Sequence, residues 1–162
     1  RTVTGVQTCA LPIYVKKEFG LDIGENTAEE IKIQMGSAWR LEEEFTADIG
    51  GRDSLTGLPR QIELTTEHVR EAIEEPITAI IDALKSTLDR TPPELAADIM
   101  ENGIVLSGGG ALLAGLTQRV THETGMRSFV APDPLYAVVL GSGQALENIE
   151  AMRGLLTQTG ID

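Results

Sequence analysis

Apolar residues recur every three or four positions between Glu67 and Arg90, which is the spacing of one face of a long amphipathic helix. Thr65 or Thr66 is suited to cap its start, and Thr91-Pro92-Pro93 ends it. Pro76 lacks a backbone N–H group, so we expect it to kink or divide the helix. The apolar positions are Val69, Ala72, Ile73, Ile77, Ile80, Ile81, Leu84 and Leu88.

Two helical segments are predicted before this long helix. Residues Tyr14–Phe19 are typical of a helix end, and Gly20 stands where a left-handed residue stops a helix. Thr27 and Glu30 have the spacing of a capping box, in which each side chain bonds the other residue's backbone N–H. The second helix is therefore predicted to begin at Thr27 and to end near Gly36.

A β-hairpin is predicted between the second helix and the long helix. Residues 41–49 and 60–65 have the composition of strands. The stretch from Gly50 to Pro59 is rich in turn-forming residues. The two strands are therefore expected to pair with each other.

Strands and helices alternate after the long helix. This alternation predicts a parallel α/β layer over residues 92–152, after a small α+β lobe over residues 24–91, with a frayed tail at 153–162. The predicted elements are a helix over 93–100, a buried strand over 104–107, a helix over 111–123 closed by Gly125, a strand over 128–130 and a helix over 135–152.

The composition is that of a globular protein, with 162 residues that are 41% hydrophobic and 23% charged. The formal net charge of −12 repels nucleic acids and anionic lipids, so we expect no nucleic-acid partner. No apolar run approaches the ~20 residues that cross a bilayer. The histidines, His68 and His122, lack the spacing of metal ligands, so surface or capping roles are favoured and no metal site is predicted.

Residues 1–13 are expected to have a different origin from the rest of the chain. They show no helical or strand periodicity that continues beyond Ile13, and they lack the charged start and long apolar centre of a signal peptide. Val3–Ile13 resembles, codon by codon, the translation of a common sequencing-library adapter. The single cysteine, Cys9, lies in this segment, so it indicates nothing about redox chemistry. A genuine N-terminal strand is the alternative.

The first candidate for chemistry is the glycine triplet Gly108-Gly109-Gly110. It comes after the predicted strand and precedes the predicted helix, so bare N–H groups and the positive end of a helix dipole are expected there. Such a place suits a phosphate or a nucleotide. The triplet lacks the Lys-Ser/Thr ending of a P-loop and the spacing of the dinucleotide fingerprint. A tight structural turn that requires glycine for its backbone angles is the other interpretation.

The second candidate is a charged pair on the predicted helix at Thr27. Glu29 and Lys32 are three residues apart, so they project from the same side of the helix. A carboxylate there is able to accept ribose hydroxyls, while the lysine stem is able to lie along an adenine face. An ordinary surface ion pair, worth only about 0.3 kcal/mol, is the alternative.

Five segments, in order and nearly without gaps from Tyr14 to Leu146, resemble the MreB family of rod-shape-determining bacterial actin homologues. Asn26 departs from the family, which often has a basic residue there, and Trp39-Arg40 is an unusual variant. The matching segments are IGENTAEEIK at 23–32, GRDSLTGLPR at 51–60, TPPELAADIM at 91–100, GIVLSGGGALL at 103–113 and DPL at 133–135.

The resemblance implies part of an actin-like, ribonuclease H-like α/β ATPase fold, namely the second domain with its subdomains IIA and IIB. Residues 14–23 then match the end of an interrupted IIA helix, residues 24–91 match IIB, and residues 92–152 match IIA. Glu29 and Lys32 match the adenine and ribose side of the family's cleft, and Gly108, Gly109, Gly110 and Ala111 match its second adenosine-phosphate loop.

The resemblance also implies ATP as the nucleotide, with Mg²⁺ bound through a part of the protein outside this chain. In such proteins the groups that hold the β- and γ-phosphates and the attacking water lie upstream of the segment that matches Tyr14. Phosphoryl transfer needs in-line placement of water, metal and phosphate. The chain by itself is therefore expected not to hydrolyse ATP, and no catalytic residue is assigned.

The function implied by the resemblance is a filament-forming cytoskeletal protein that directs cell-wall elongation and so determines cell shape. Its implied partners are further copies of itself, the elongation machinery and a membrane partner protein. Its implied location is the cytoplasm at the inner face of the membrane, with membrane contact through the first domain. Two alternatives are a nonenzymatic interaction module built on the hairpin and the long helix, and another actin-fold ATPase of the chaperone or sugar-kinase type.

Overall fold

The structure, a computed structural model, describes residues 3–149, with side chains from Ala10 onward. Helices and short strands alternate along the described chain, with a 3₁₀ turn at Gly109–Leu112. Within these residues, no helix has both the length and the apolar character that crossing a membrane requires. The elements are α1 (Val3–Phe19), β1 (Leu21–Asp22), α2 (Glu25–Met35), β2 (Thr46–Asp53), β3 (Pro59–Thr65), α3 (Thr66–Asp89), α4 (Pro93–Asn102), β4 (Ile104–Leu106), α5 (Leu116–Thr124), β5 (Ser128–Val130) and α6 (Ala137–Glu147).

The first lobe is an antiparallel sheet in the order β1-β2-β3, packed against α1, α2 and the first half of α3. In the hairpin, Ile49 lies opposite Ile62 and Thr46 lies opposite Thr65. Side chains from all six elements form one apolar cluster, called the first core. Its buried members are Leu11, Val15, Leu21, Ala28, Ile31, Met35, Ile49, Leu64, Val69 and Ala72.

The second lobe comprises α4, α5, α6 and a parallel pair of strands, β4 and β5. A second core joins α5 to the middle of α3 and to Ala38 in the segment after α2. The long helix α3 therefore contributes to both cores. The buried members of the second core are Ala38, Ile73, Ile77, Ile81, Leu116 and Val120.

The predicted hairpin is confirmed, but its limits differ from those predicted. Residues 41–45 are not a strand, and β2 continues through the glycines that were expected to form a turn. The reason is the short strand β1, which pairs with the end of β2. The backbones approach so closely that a Cβ at Gly51 would lie 2.6 Å from the carbonyl oxygen of Asp22. A two-residue strand leaves no periodic pattern, so the sequence did not indicate it.

The capping box predicted at Thr27 is wrong. Helix α2 begins at Glu25, with Gly24 at the N-cap and no side-chain cap, and it ends at Gly36 as predicted. On α3 the capping prediction is confirmed, because the Thr65 side chain accepts from the His68 N–H at 3.1 Å. His68 returns the interaction, since its Nδ1 accepts from the Thr65 N–H at 3.3 Å. The predicted capping role for a histidine is thereby confirmed.

Pro76 does not divide α3, which runs without a break from Thr66 to Asp89. Ala72, Ile73 and Ile77 are buried on either side of the proline. Their packing stabilises the helix despite the lost hydrogen bond, as tertiary context often overrides local propensity.

The helix predicted from Ala111 to Glu123 is also corrected. The glycine triplet leads into the 3₁₀ turn, and α5 begins only at Leu116. Gly115 separates the two because its φ of +72° is left-handed. Gly125 closes α5 as predicted, again with a left-handed φ, and β5 has its predicted limits.

Strand β4 pairs in parallel with β5, as predicted, but the prediction that it is buried is wrong. Val105 is 56% exposed, because within the described chain one face of the two-stranded sheet has no covering layer. Helix α6 begins at Ala137 and not at Leu135, and it ends at Glu147 and not at Met152 as predicted. The predicted frayed tail lies outside the described residues.

Helix α1 is continuous from Val3 to Phe19, so the alternative of an N-terminal strand is wrong for residues 3–13. These residues extend the helix end predicted at Tyr14–Phe19, although their sequence lacks helical periodicity. Leu11 and Val15, one turn apart, are both buried in the first core. Two apolar positions and an internal proline at Pro12 make too weak a pattern to read from sequence. The adapter origin of the segment and the predicted subdomain limits stay predictions.

Candidate functional site

A cavity of about 480 Å³ lies between α2 and the 3₁₀ turn at the glycine triplet. Glu29 and Lys32 line it from α2, and Gly109 and Gly110 line it from the turn. The volume falls in the range of small-molecule sites, and such sites combine mostly apolar walls with a few polar groups. Apolar side chains supply much of the rest of the wall, namely Ile33, Met35, Leu41, Phe45, Leu112, Leu113 and Leu135.

The α2 wall is fixed by the amphipathic pattern of that helix. Ala28, Ile31 and Met35 are buried in the first core, which leaves Glu29 and Lys32 free to line the cavity. The Lys32 ammonium donates to the Glu29 carboxylate, and the lysine side chain is only 12% exposed. The cavity therefore has an oriented ion pair along one edge.

The other wall begins at Gly108, whose φ of +83° is available to glycine at little cost. Its N–H donates to the carbonyl oxygen of Pro134 at 2.7 Å, and its own carbonyl accepts from the Ala111 N–H at 3.1 Å. These bonds fold the triplet into the 3₁₀ turn. The first N–H groups of any helical turn lack acceptors within it, so Gly109 and Gly110 present donors at the cavity.

The expectation that the triplet directly precedes an α-helix is wrong, because α5 begins only at Leu116. A four-residue 3₁₀ turn brings a much smaller dipole than an α-helix. Binding of an anion here would therefore depend on individual N–H groups.

Four of the six residues singled out from the sequence line one cavity: Glu29, Lys32, Gly109 and Gly110. Gly108 and Ala111 lie beside it and support the turn, and the side chain of Ala111 is 5% exposed. Residues almost eighty positions apart in the sequence thus share one groove. Their roles toward a ligand stay predictions.

The apolar wall was not indicated by the sequence. Ile33, Leu112 and Leu135 are 72%, 58% and 59% exposed, so they are open to a ligand. Leu135 lies in the matched segment Asp133-Pro134-Leu135, which is the one signal that pointed to it. The Pro134 carbonyl oxygen accepts from the Gly108 N–H, and this hydrogen bond brings Leu135 to the site.

Side chains of the metal-ligating types are scattered over the described chain. Over residues 3–149, no group of three or more His, Cys, Asp or Glu side chains is placed to hold a metal ion. His122, the second histidine, packs its ring 5.0 Å from that of Trp39.

The fold is that of the actin-like proteins. MreB5 of Spiroplasma citri bound to AMPPNP matches with a TM-score of 0.85 and 31% identity, over 91% of this chain and 44% of that one. The same protein bound to ADP matches with a TM-score of 0.85 and 30% identity, over 95% of this chain and 46% of that one. A double helical filament of MamK has the same fold, with a TM-score of 0.67 and 23% identity over 82% of this chain and 40% of that one.

The chain belongs to the MreB/Mbl family, whose model matches residues 8–154. This match begins inside the segment that resembles an adapter. The cell shape-determining protein MreB of Escherichia coli is 45% identical over 87% of this chain and 41% of its own length. The cell shape-determining protein Mbl of Bacillus cereus is 42% identical over 86% of this chain and 42% of its own length. The chain thus spans about two fifths of these relatives.

Proposed function

We propose that the cavity between α2 and the 3₁₀ turn binds the adenosine and first-phosphate portion of ATP or ADP. One observation carries this proposal: Glu29, Lys32, Gly109 and Gly110 line a single cavity. The AMPPNP and ADP named for the two Spiroplasma citri structures support an adenine nucleotide as the ligand.

The residues present fit such a ligand. The Glu29 carboxylate accepts hydroxyl protons, which suits a ribose, and the apolar stem of Lys32 suits the face of a purine. Ile33, Leu112 and Leu135 add apolar surface for the base. The N–H groups of Gly109 and Gly110 suit phosphate oxygens. Mg²⁺ would be held through a part of the protein outside this chain, and it would neutralise charge on the terminal phosphates.

For the whole protein we propose assembly into nucleotide-dependent filaments that determine cell shape. The names of the curated relatives and the filament form of MamK support this role. The proposed partners are further copies of the protein, the cell-wall elongation machinery and a membrane partner, and the proposed location is the inner face of the cell membrane. Hydrolysis of ATP by the 162-residue chain alone is not expected.

Calorimetric titration of ADP into the chain, without Mg²⁺, tests the nucleotide site. Glu29→Ala should weaken binding by about tenfold, the effect of losing a hydrogen bond to a charged group. Glu30→Ala is the matched control, because Glu30 is its exposed neighbour on the same helix and does not line the cavity.

A second pair of variants probes the glycine turn. Gly109→Val narrows the cavity beside Leu135, since a Cβ at Gly109 would lie 3.5 Å from Leu135 Cδ2. Gly50→Val, on β2 with nothing within 4 Å of its Cβ position, is the control. Equal ADP binding by the parent chain, Glu29→Ala and Gly109→Val would contradict the proposal. Retained self-association without any nucleotide heat would favour the interaction module instead.

A further inference from the structure

The two walls of the cavity belong to different cores. Helix α2 is anchored in the first core through Ile31 and Met35. The chain after the 3₁₀ turn is anchored in the second core through Leu116, with Leu113 packed against that core. The width of the cavity therefore depends on how the two anchored segments are joined.

They are joined at a backbone seam that we call the clasp, formed by residues 36–39 and 113–115. Ser37 and Ala114 form a parallel β-bridge, and the Ala38 N–H donates to the Ala114 carbonyl oxygen at 2.7 Å. Ser37 and Ala38 are almost completely buried. Arg70 on α3 also donates to the Ser37 hydroxyl at 3.3 Å. The clasp is thus a buried, hydrogen-bonded contact directly beside the cavity.

One side of the clasp contains a glycine with no room for a side chain against the other side. A Cβ at Gly115 would lie 2.5 Å from the Trp39 Cβ and 2.9 Å from the Trp39 nitrogen, both on the opposite segment. At Gly36 the tightest neighbour of a Cβ would be the Lys32 carbonyl oxygen of its own helix, at 2.4 Å, so separating the two segments would not relieve that contact. Because the neighbours of Gly115 are a backbone atom and a Cβ, relief there requires the two segments to separate.

We propose that Gly115 is a positioning residue, whose missing side chain sets the distance between the base-binding wall on α2 and the phosphate-binding wall at Gly109 and Gly110. This inference rests on the proposed function. Gly115 does not need to touch the nucleotide. A ligand that contacts both walls depends on the clasp, whereas a ligand held mainly by α2 depends on it much less.

A matched pair of substitutions separates this effect from ordinary glycine effects. Gly115→Ala and Gly125→Ala lie at the two ends of α5 with φ of +72° and +71°, but nothing lies within 4 Å of the Gly125 Cβ position. Backbone strain is therefore matched within the pair, and only the wedge at the clasp differs.

Affinities for ADP and for adenosine are measured on the 162-residue chain and its two variants. Gly115→Ala should weaken ADP binding by about tenfold, the effect of losing a hydrogen bond to a charged phosphate. Adenosine binding should weaken much less, and Gly125→Ala should leave the ratio of the two affinities unchanged. The proposal is overturned if the binding of both ligands weakens equally, or if Gly115→Ala matches its control. If Gly115→Ala does not fold, Gly115→Asn and Gly125→Asn decide, because asparagine tolerates a left-handed φ better than alanine.

A distance measurement keeps the clasp testable apart from nucleotide binding. Spin labels at Ile33 and Leu112, both exposed, report the separation of the two walls in a Cys9→Ser background. The separation should widen in Gly115→Ala and stay constant in Gly125→Ala. An unchanged separation would refute the clasp even where ADP binds. A widened separation with no ADP binding by the parent chain would refute the nucleotide site and leave the clasp.

Discussion

The two lobes share one helix but differ sharply in how well their apolar residues are covered. In the first lobe, α1, α2, α3 and the sheet bury ten residues in a single core. In the second lobe, neither α4 nor α6 contains a buried residue. Val105, Phe129, Val138, Val139 and Leu140 are between 46% and 70% exposed.

Hydrophobic sequence patterns are often taken to report both that an element forms and that it is buried. The difference between the lobes shows that these two properties are separate. The patterns predicted β4, β5, α4 and α6 about as well as they predicted the elements of the first lobe. They did not predict whether a second layer covers those elements. A sheet or helix buries its apolar face only when another element packs on it. Groups of exposed apolar side chains are typical of interaction surfaces.

Truncation of a core side chain should give the largest difference between the lobes. Leu64→Ala removes a fully buried side chain from the first core and should lower the free energy of unfolding by about 3 kcal/mol. Leu140→Ala, where the side chain is 54% exposed, should cost less than about 0.5 kcal/mol. Urea unfolding followed by circular dichroism measures both. Equal costs would show that the second lobe is covered in solution.

Loss of the cap on α3 should have an intermediate effect. Thr65→Ala removes the acceptor for the His68 N–H and should destabilise the protein by about 1 kcal/mol. Thr87→Ala is the control on the same helix. Its hydroxyl donates to the Ala83 carbonyl in the last turn of α3 and accepts from no N–H group at the helix start, so its loss should matter by less than about 0.5 kcal/mol. Thermal unfolding of the two variants compares them. A cap loss no larger than the control would mean that packing alone sets the start of α3.

The smallest expected effect concerns the tip of the hairpin in the first lobe. Hydrogen bonds to the Asp53 carboxylate hold its pKa at about 2, below its ordinary 3.8. The donors are the Thr56 N–H, the Arg60 guanidinium, the Thr56 hydroxyl and the Leu55 N–H. Because the folded pKa is the lower one, the stabilisation is present above about pH 4 and is lost as the pH falls toward 2.

Carbon-detected NMR titration of the Asp53 carboxyl measures this pKa directly. Amide exchange at Leu55 and Thr56 should accelerate over the same pH range, and Asp53→Asn should abolish that pH dependence. Titration of Asp53 near 3.8 would contradict the hydrogen bonding of the hairpin tip.

Contacts between distant segments account for two of the wrong predictions. Pro76 does not divide α3, where Ile73 and Ile77 belong to the second core. The helix expected at Ala111 is delayed to Leu116, since Gly115 is left-handed where it meets Trp39. A third wrong prediction is local: the capping box at Thr27 fits its motif, yet α2 starts two residues earlier at Glu25, and the Ala28 N–H donates to the Gly24 carbonyl oxygen.

The residues of the candidate site were likewise only partly predictable from the sequence. Glu29, Lys32, Gly109 and Gly110 were selected from sequence spacing and from resemblance to the family, and they do line one cavity. The apolar wall and the clasp were not predicted. Their residues have no chemical signature of their own, and only their positions in the folded chain relate them to the site.

The sequence by itself determined the family, most of the secondary structure and the polar residues of the candidate site, because periodicity, glycines and ordered motifs are local properties of the chain. The tertiary structure alone decided which apolar faces are buried, where β1 pairs and how the two walls of the cavity are held together. These features depend on close approaches between segments far apart in the chain, such as Gly115 against Trp39, and no local pattern encodes such distances.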